Sequence, residues 1–269
     1  MLRSDVVQTT VRSLRKAETS LPNWVLELIE HAMENETNIV ARSHLQFMLE
    51  NVCIAEETKL PLCQDTGLPI FHLEVGRDLR LDFDLQDAIA EGVRIASKEI
   101  PLRPNVVDPL TRRNTGDNTG IGMPDIILEP VDGDSLRITA FPKGAGSENM
   151  SLVGMLNPAD DPFEFILKAV AERAANACPP LFLGIGIGGT FDLAARLAKR
   201  ALFNMPGSSD LEIKLLKKIN ALGIGPMGLG GDTTALGVKI ETASCHTASL
   251  PVAINFQCWA NRSASEVIR

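Results

Sequence analysis

The stretch NACPPLFLGIGI, residues 176–187, marks a change from a helical pattern to a strand pattern. A helix is expected ahead of it, because Asp161 followed by Pro162 is typical of a helix start. The prolines at 179–180 separate that helix from the apolar run at 181–187, which is short and rich in isoleucine and leucine and therefore predicts a buried strand. The fold is thus expected to contain both helices and strands.

The same signals continue on both sides of this stretch. The first roughly 60 residues form a mostly helical pattern, further helices are expected after Asp84 and Ser209, and another from about Thr190 to Phe203. Apolar runs predict six strands, at 70–75, 126–131, 136–141, 181–187, 236–240 and 252–256. Because helices and strands mix without strict alternation, we predict an α/β (mixed α+β) fold. We expect one domain over residues 1–269, with a helical N-terminal region followed by a mixed sheet and flanking helices.

The amino-acid composition argues against two classes of binding partner. The 269 residues carry a formal net charge of −8, aromatics make up only 4%, and tyrosine is absent. This balance repels polyphosphate and offers few stacking platforms, which argues against binding to nucleic acid or to an anionic membrane surface. No apolar run is long enough to span a bilayer, and the first residues lack a signal core, so we expect a cytoplasmic location.

The five cysteines are Cys53, Cys63, Cys178, Cys245 and Cys258. Their odd number argues against a disulfide framework, and no C-x-x-C pair is present. Metal ligation and thiol catalysis both remain open on this evidence.

A glycine motif offers one function. Gly184, Gly186 and Gly189 match G-x-G-x-x-G between a predicted strand and a predicted helix, the context of a dinucleotide site. The acidic residue expected about 20 positions later would be Asp210, but Asp210 opens a helix instead of ending a second strand. A nucleotide-binding oxidoreductase that uses the Gly184–Gly189 turn is therefore kept only as an alternative.

The segment LCQDTGLP at 62–69 carries more chemistry than any other. A thiol, an amide, a carboxylate and a hydroxyl follow one another and are closed by Gly-x-Pro. One short loop therefore offers a soft metal ligand, a hydrogen-bond donor and a candidate acid or base. Taken alone, the segment could also be a capped turn with a buried thiol.

Three segments together resemble one family. The segment at 62–69 resembles the Cys-Gln-Asp-Thr-Gly signature of class I iron–sulfur fumarate hydratases and L-tartrate dehydratases, in their α subunit or N-terminal domain. Residues 176–190 resemble the family's second cysteine block and residues 250–262 its third, so the resemblance covers about 20–262. It implies a [4Fe–4S] cluster held by three cysteines, Cys63, Cys178 and Cys258.

The resemblance also implies roles for other residues. Three thiolates leave one iron open, and an open iron can act as a Lewis acid on a substrate oxygen. Asp65 would be the catalytic proton-transfer group, and the substrate would be bound by Gln64, Arg103, Gly146 and His246. Ala145 departs from the family, which often has glycine there, and we expect this to be tolerated if its φ stays negative. Cys53 and Cys245 match no ligand block and are interpreted as structural thiols.

The implied protein is a hydro-lyase that acts on a small dicarboxylate. Single-chain members of the family continue beyond the third cysteine, so this chain is expected to be the α subunit of a hetero-oligomer whose β subunit completes the site. The segment at 143–149 is similar to that of the fumarate enzymes, which favours reversible hydration of fumarate to (S)-malate, a reaction of the tricarboxylic acid cycle. Dehydration of L-tartrate to oxaloacetate is the alternative, and a non-catalytic iron–sulfur regulator is a third possibility.

Overall fold

The structure is a computed structural model that describes residues 1–207 and 209–269. The helices are α1 (Arg3–Thr19), α2 (Asn23–Asn35), α3 (Ile39–Thr58), α4 (Leu85–Glu99), α5 (Ala145–Glu148), α6 (Pro162–Arg173), α7 (Phe191–Phe203) and α8 (Asp210–Asn220). The strands are β1 (Ile70–Gly76), β2 (Asp125–Val131), β3 (Leu136–Ala140), β4 (Leu152–Leu156), β5 (Leu181–Gly188), β6 (Ala235–Ala243), β7 (Leu250–Gln257) and β8 (Ala264–Ile268). Single 3₁₀ turns lie at Ala174–Ala177 and Pro226–Gly228. The mixed α/β class predicted from the sequence is confirmed.

The chain divides into two compact units. Unit 1 comprises Met1–Asn23, Glu50–Ala145 and Arg262–Arg269, and unit 2 comprises Trp24–Leu49 and Gly146–Asn261. Each unit contains one mixed four-stranded sheet, where the sequence had suggested a single sheet. None of the helices within the described residues is long and apolar enough to cross a membrane.

Unit 1 is built on a sheet with the strand order β2-β1-β3-β8. Strand β1 pairs in parallel with β2 and antiparallel with β3, and β3 pairs antiparallel with β8. Helices α1 and α4 pack together, and their apolar faces share a core with the sheet. Val7, Val11 and Leu14 follow helical spacing on α1, while Phe71 and Leu73 alternate along β1, so both periodicities direct their side chains into this core.

Unit 2 is built on a sheet with the order β4-β7-β5-β6, in which only β5 and β6 are parallel. Helix α7 packs closely on β5. A Cβ at Gly184 would lie 2.1 Å from the carbonyl oxygen of Ala198, and one at Gly186 would lie 2.1 Å from that of Ala194. These two glycines therefore lie inside a strand and allow a helix to approach it, which corrects the interpretation of 184–189 as an open ligand-binding turn.

The predicted helix starts are confirmed by their caps. The Asp161 carboxylate accepts a 2.8 Å hydrogen bond from the Phe163 N–H, and the Asp84 carboxylate accepts one of 3.0 Å from the Asp87 N–H. Ser209 forms a capping box with Glu212. Each cap satisfies backbone donors that the first helical turn leaves without partners.

Strands β4 and β8 were not predicted. β4 is only five residues long and contains Gly154, and β8 is a short edge strand that contains the adjacent polar residues Ser265 and Glu266. Such segments have weak intrinsic strand signals and form because a neighbouring strand pairs with them.

Candidate functional site

The Cys-Gln-Asp-Thr-Gly turn connects α3 to β1 within unit 1. Its start is fixed by two hydrogen bonds at Leu62: the N–H donates to the Glu18 carbonyl over 2.8 Å, and the carbonyl accepts from Asn51 Nδ2 over 2.9 Å. Its end is fixed at Gly67, which has a φ of +75° and lies against the backbone of Lys143, where a Cβ would come within 2.6 Å. Only glycine fits this position.

The Asp65 side chain is held by three donors. Oδ1 accepts hydrogen bonds from the Gly67 N–H at 2.9 Å and from Asn105 Nδ2 at 3.3 Å, and Oδ2 accepts one of 2.7 Å from the Ala145 N–H. A carboxylate offers about four lone-pair sites, so room remains for a further donor. Asp65 thus has a fixed orientation, which a proton-transfer group requires.

An open cleft of about 420 Å³ lies beside this turn. Cys63, Gln64 and Arg103 line it together, and all three are exposed. The segment that carries Arg103 is tied to the turn, because the Arg103 N–H donates a 3.1 Å hydrogen bond to the buried Thr66 hydroxyl. The structure therefore brings a free thiol, an amide and a guanidinium to one cleft, a set that suits a metal ligand beside a carboxylate-binding group.

Cys178 and Cys258 are brought close together by the sheet of unit 2. Strands β5 and β7 pair antiparallel with Phe182 opposite Gln257, so the residues just before β5 lie beside those just after β7. The Trp259 N–H donates a 3.3 Å hydrogen bond to the Cys178 carbonyl. Cys178 is thereby hydrogen-bonded to the residue that follows Cys258, although the two cysteines are 80 positions apart in the sequence.

Cys178 has an unusual backbone conformation. Its φ and ψ are 55° and 65°, in the left-handed region. The residue before a proline normally adopts an extended conformation, and Cys178 precedes Pro179. Backbone strain of this kind concentrates at functional sites, where the surrounding structure holds it.

Gly146 and His246 lie in other parts of unit 2, and both are exposed. Around Gly146, an added Cβ would meet only the Asn176 carbonyl, at 3.9 Å, so the space beside this glycine is open. His246 lies in the turn between β6 and β7, where its Nδ1 accepts a 3.1 Å hydrogen bond from the Ala248 N–H. The neighbouring Ala145 is helical in α5, so its φ is negative, as its tolerated departure from the family requires.

The cysteine thiols are the candidate metal ligands of this chain. Among the described residues none of the five cysteines forms a disulfide, and Cys53 and Cys245 are exposed and do not pack in a core. Across residues 1–207 and 209–269, no three His, Cys, Asp or Glu side chains form a group that could hold a metal ion. The donor chemistry of Cys63, Cys178 and Cys258 nevertheless fits an iron–sulfur cluster, because thiolates are the usual cluster ligands.

One buried ion pair near the turn was not predicted. Arg262 Nη1 donates a 2.9 Å hydrogen bond to Glu18 Oε2, and Arg262 Nη2 donates one of 2.7 Å to the Asp65 carbonyl. Both charged side chains are buried in unit 1. Burial raises the pKa of Glu18 to about 7, although the Arg262 guanidinium favours the charged form. Arg262 belongs to the third sequence block, but nothing in that block indicated its partner.

Comparison with known proteins identifies the family of the chain. The family model described as "Fumarate hydratase (Fumerase)" matches residues 7–267. A Methanocaldococcus jannaschii protein named "Putative L(+)-tartrate dehydratase subunit alpha" is 48% identical to this chain over 281 aligned positions, covering 99% of this chain and 97% of that protein.

Two Escherichia coli proteins named "L(+)-tartrate dehydratase subunit alpha" are more distant. The one from strain UTI89 is 34% identical, covering 91% of this chain and 84% of that protein. The one from strain K12 is 32% identical, covering 93% and 86% respectively. Because the family model and these relatives span nearly the whole chain, the protein belongs to the fumarate hydratase (Fumerase) family of hydro-lyases.

Proposed function

We propose that the chain is the α subunit of an iron–sulfur hydro-lyase that adds water to, or removes it from, a small dicarboxylic acid. The observation that carries the proposal is the unit 1 cleft, where Cys63, Gln64 and Arg103 lie together beside the oriented Asp65. These groups offer a ligand for a Lewis acid, a carboxylate clamp and a proton-transfer group, which are the parts that dehydration of a hydroxy acid needs.

Each residue has a distinct role in the proposal. The Arg103 guanidinium binds one substrate carboxylate through paired hydrogen bonds. Gln64 binds a second polar group of the substrate, since an amide can both donate and accept. Asp65 transfers the proton at the carbon next to the departing hydroxyl. Gly146 and His246 are further substrate-binding residues in the proposal, as the resemblance implies.

A [4Fe–4S] cluster held by Cys63, Cys178 and Cys258 is part of the proposal. Such a cluster would supply one iron without a protein ligand, which acts as a Lewis acid on the leaving hydroxyl. The thiol chemistry of these three residues supports the assignment, since thiolates are the usual ligands of such clusters. We also propose a cytoplasmic location, because that compartment keeps thiols reduced.

We propose fumarate and (S)-malate as the first candidate substrate pair. The turn at 143–149 resembles that of fumarate enzymes, and the matching family model carries the fumarate hydratase description. Within this turn, the Ala145 N–H is already committed to Asp65. This N–H is therefore not available to the additional hydroxyl of tartrate. A tartrate hydroxyl left without a hydrogen-bond partner would disfavour that substrate.

L-tartrate is the second candidate, and the names of the relatives support it. The Methanocaldococcus jannaschii and Escherichia coli relatives are all named as tartrate dehydratase α subunits. The same names support a hetero-oligomer in which a β subunit supplies the remaining substrate-binding groups.

The test is reconstitution of the full chain with its β subunit under anaerobic conditions, followed by kcat/KM measurements for (S)-malate and L-tartrate. We expect at least tenfold higher kcat/KM for malate, because a site without a partner for one hydroxyl can discriminate strongly. A preference for tartrate would overturn the substrate assignment, and no turnover of either acid by the cluster-loaded enzyme would overturn the hydro-lyase proposal.

A further inference from the structure

We propose that Arg262 is a positioning residue that holds the Cys-Gln-Asp-Thr-Gly turn through its two guanidinium arms. One arm binds the Glu18 carboxylate, and the other binds the backbone carbonyl of Asp65. The role deepens the proposed function and rests on it, since the turn matters for catalysis only if Cys63 and Asp65 act there.

The contacts form a closed arrangement around the turn. Glu18 contributes twice, because its backbone carbonyl accepts the Leu62 N–H at 2.8 Å and its side chain accepts Arg262 Nη1 at 2.9 Å. Leu62 immediately precedes Cys63, and Asp65 immediately follows Gln64. The turn is therefore held at two positions: Leu62 binds the Glu18 carbonyl, and the Asp65 carbonyl binds Arg262.

The burial of the Glu18 and Arg262 side chains favours a single conformation of this ion pair. Only 1% of the Glu18 side chain and 4% of the Arg262 side chain are exposed. A buried charge is costly unless it is paired and hydrogen-bonded, so each group strongly favours the conformation in which the other is present. The planar guanidinium can serve a carboxylate and a carbonyl at once in fixed directions, whereas a lysine ammonium is a point charge without that fork.

The direction of the Asp65 carbonyl is the property that Arg262 controls. The hydrogen bond from Arg262 to this carbonyl fixes the orientation of the peptide between Asp65 and Thr66. It thereby also fixes the backbone from which the Asp65 carboxylate extends toward its own three donors. Without that donor the part-buried carbonyl loses its Arg262 hydrogen bond, which favours a rotated peptide. Arg262 thus acts on substrate chemistry only through the turn.

The test compares Arg262→Lys with Arg12→Lys in the full chain. Arg12 is a matched control, because it belongs to α1 and pairs with Glu266 of β8, in the same unit, without contact to the turn. Backbone hydrogen–deuterium exchange is followed in a peptide covering residues 62–68 and in a reference peptide from the β1–β3 core, and the unfolding temperature is recorded for each variant.

We expect Arg262→Lys to raise exchange in residues 62–68 by about tenfold or more while the core peptide stays protected, as in local opening. Arg12→Lys should leave both peptides unchanged. Unchanged exchange in 62–68 would overturn the positioning role, and so would a uniform rise across both peptides, which indicates loss of general stability.

A second measurement keeps the test informative if Arg262→Lys folds poorly. Glu18→Gln retains an acceptor for Arg262, so it should fold and show a smaller rise in the same peptide. In enzyme assembled with the β subunit, Arg262→Lys should lower kcat more than it raises KM. Because the exchange result needs no turnover, a failed hydro-lyase assay would count against the proposed function alone.

Discussion

Oδ2 of Asp65 accepts a 2.7 Å hydrogen bond from the backbone N–H of Ala145. The Asp65 side chain of the Cys-Gln-Asp-Thr-Gly turn therefore binds the backbone of the first residue of α5. Because the resemblance assigns roles to both segments, Asp65 has two functions in the proposal: it orients a neighbouring loop and it transfers a proton.

Asp65→Asn should lower kcat by about 10² or more, the usual scale for a lost general acid or base. The amide places an N–H₂ group where one carboxylate oxygen accepted an N–H, so one of the three bonds to Asp65 must break. The measurement is turnover of cluster-loaded enzyme assembled with its β subunit.

The control for this prediction is Asn105→Ala, which removes the 3.3 Å donor to Asp65 and a 3.0 Å hydrogen bond to the Gly67 carbonyl but leaves the carboxylate itself intact. We expect that variant to lose no more than about tenfold in kcat. Near-normal turnover in Asp65→Asn would show that Asp65 is not the proton-transfer group.

Arg103→Lys should mainly raise KM, because an ammonium cannot form the paired contact with a carboxylate. The Arg103 backbone N–H holds Thr66, and the substitution leaves that bond in place. Steady-state kinetics separate KM from kcat. Arg80→Lys is the control, since Arg80 is exposed in the same unit and does not line the cleft. An unchanged KM in Arg103→Lys would remove Arg103 from the binding site.

Alanine substitution at two glycines of unit 2 should affect different properties, stability at Gly186 and activity at Gly146. Gly186→Ala would place a Cβ 2.1 Å from a backbone oxygen of α7, so overpacking should cost about 1–3 kcal/mol of unfolding free energy or more. Gly146→Ala enters open space in helix α5 and should leave stability unchanged while lowering activity.

Denaturant unfolding and kinetics together check this pair. Full activity in Gly146→Ala would indicate that the space beside Gly146 does not hold substrate. Normal stability in Gly186→Ala would contradict the close packing of β5 against α7.

The buried Glu18 should make stability depend on pH. Its pKa rises from 4.5 in the unfolded chain to about 7 on folding, chiefly because burial disfavours the charge, with Asp65 adding to the rise and Arg262 opposing it. The native state therefore binds more protons than the unfolded state between these values. The stabilising contribution of Glu18 to the free energy of unfolding is therefore fully present below pH 4.5. It is lost as the pH rises to about 7, and the total loss is on the order of 3 kcal/mol.

The measurement is the unfolding free energy of the wild type and Glu18→Gln between pH 4.5 and 8. Glutamine does not titrate, so the wild type should lose stability relative to the variant as the pH rises. A constant difference across this range would contradict the raised pKa.

The sequence predicts helix and strand positions well where local chemistry decides them. The side chains of Asp84, Asp161 and Ser209 cap the first turns of their helices. The apolar runs of β1 and β5 favour strands whose side chains are buried. Edge strands such as β8 depend on pairing with a distant strand, and this dependence is not visible locally.

In the candidate site, too, features set by local sequence could be predicted, whereas contacts between distant segments could not. The Cys-Gln-Asp-Thr-Gly turn can be recognised because its residues are contiguous, and its chemistry can be inferred from the residue types. The Glu18–Arg262 pair could not be predicted, because its members are 244 positions apart and each resembles a surface charge in its own segment. Similarly, the close approach of α7 to Gly184 and Gly186 depends on helix packing that a glycine motif cannot indicate.

The central claim is that Cys63, Cys178 and Cys258 hold one cluster. Its most direct test is the iron and sulfide content of the anaerobically reconstituted full chain, compared among single Cys→Ser variants at all five cysteines. We predict about four iron and four sulfide per chain in the wild type, and the same in Cys53→Ser and Cys245→Ser, which change exposed thiols outside the three ligand blocks. Cys63→Ser, Cys178→Ser and Cys258→Ser should each lose the cluster. A wild-type chain that takes up no iron and sulfide, or a Cys63→Ser variant that assembles the cluster normally, would contradict the account.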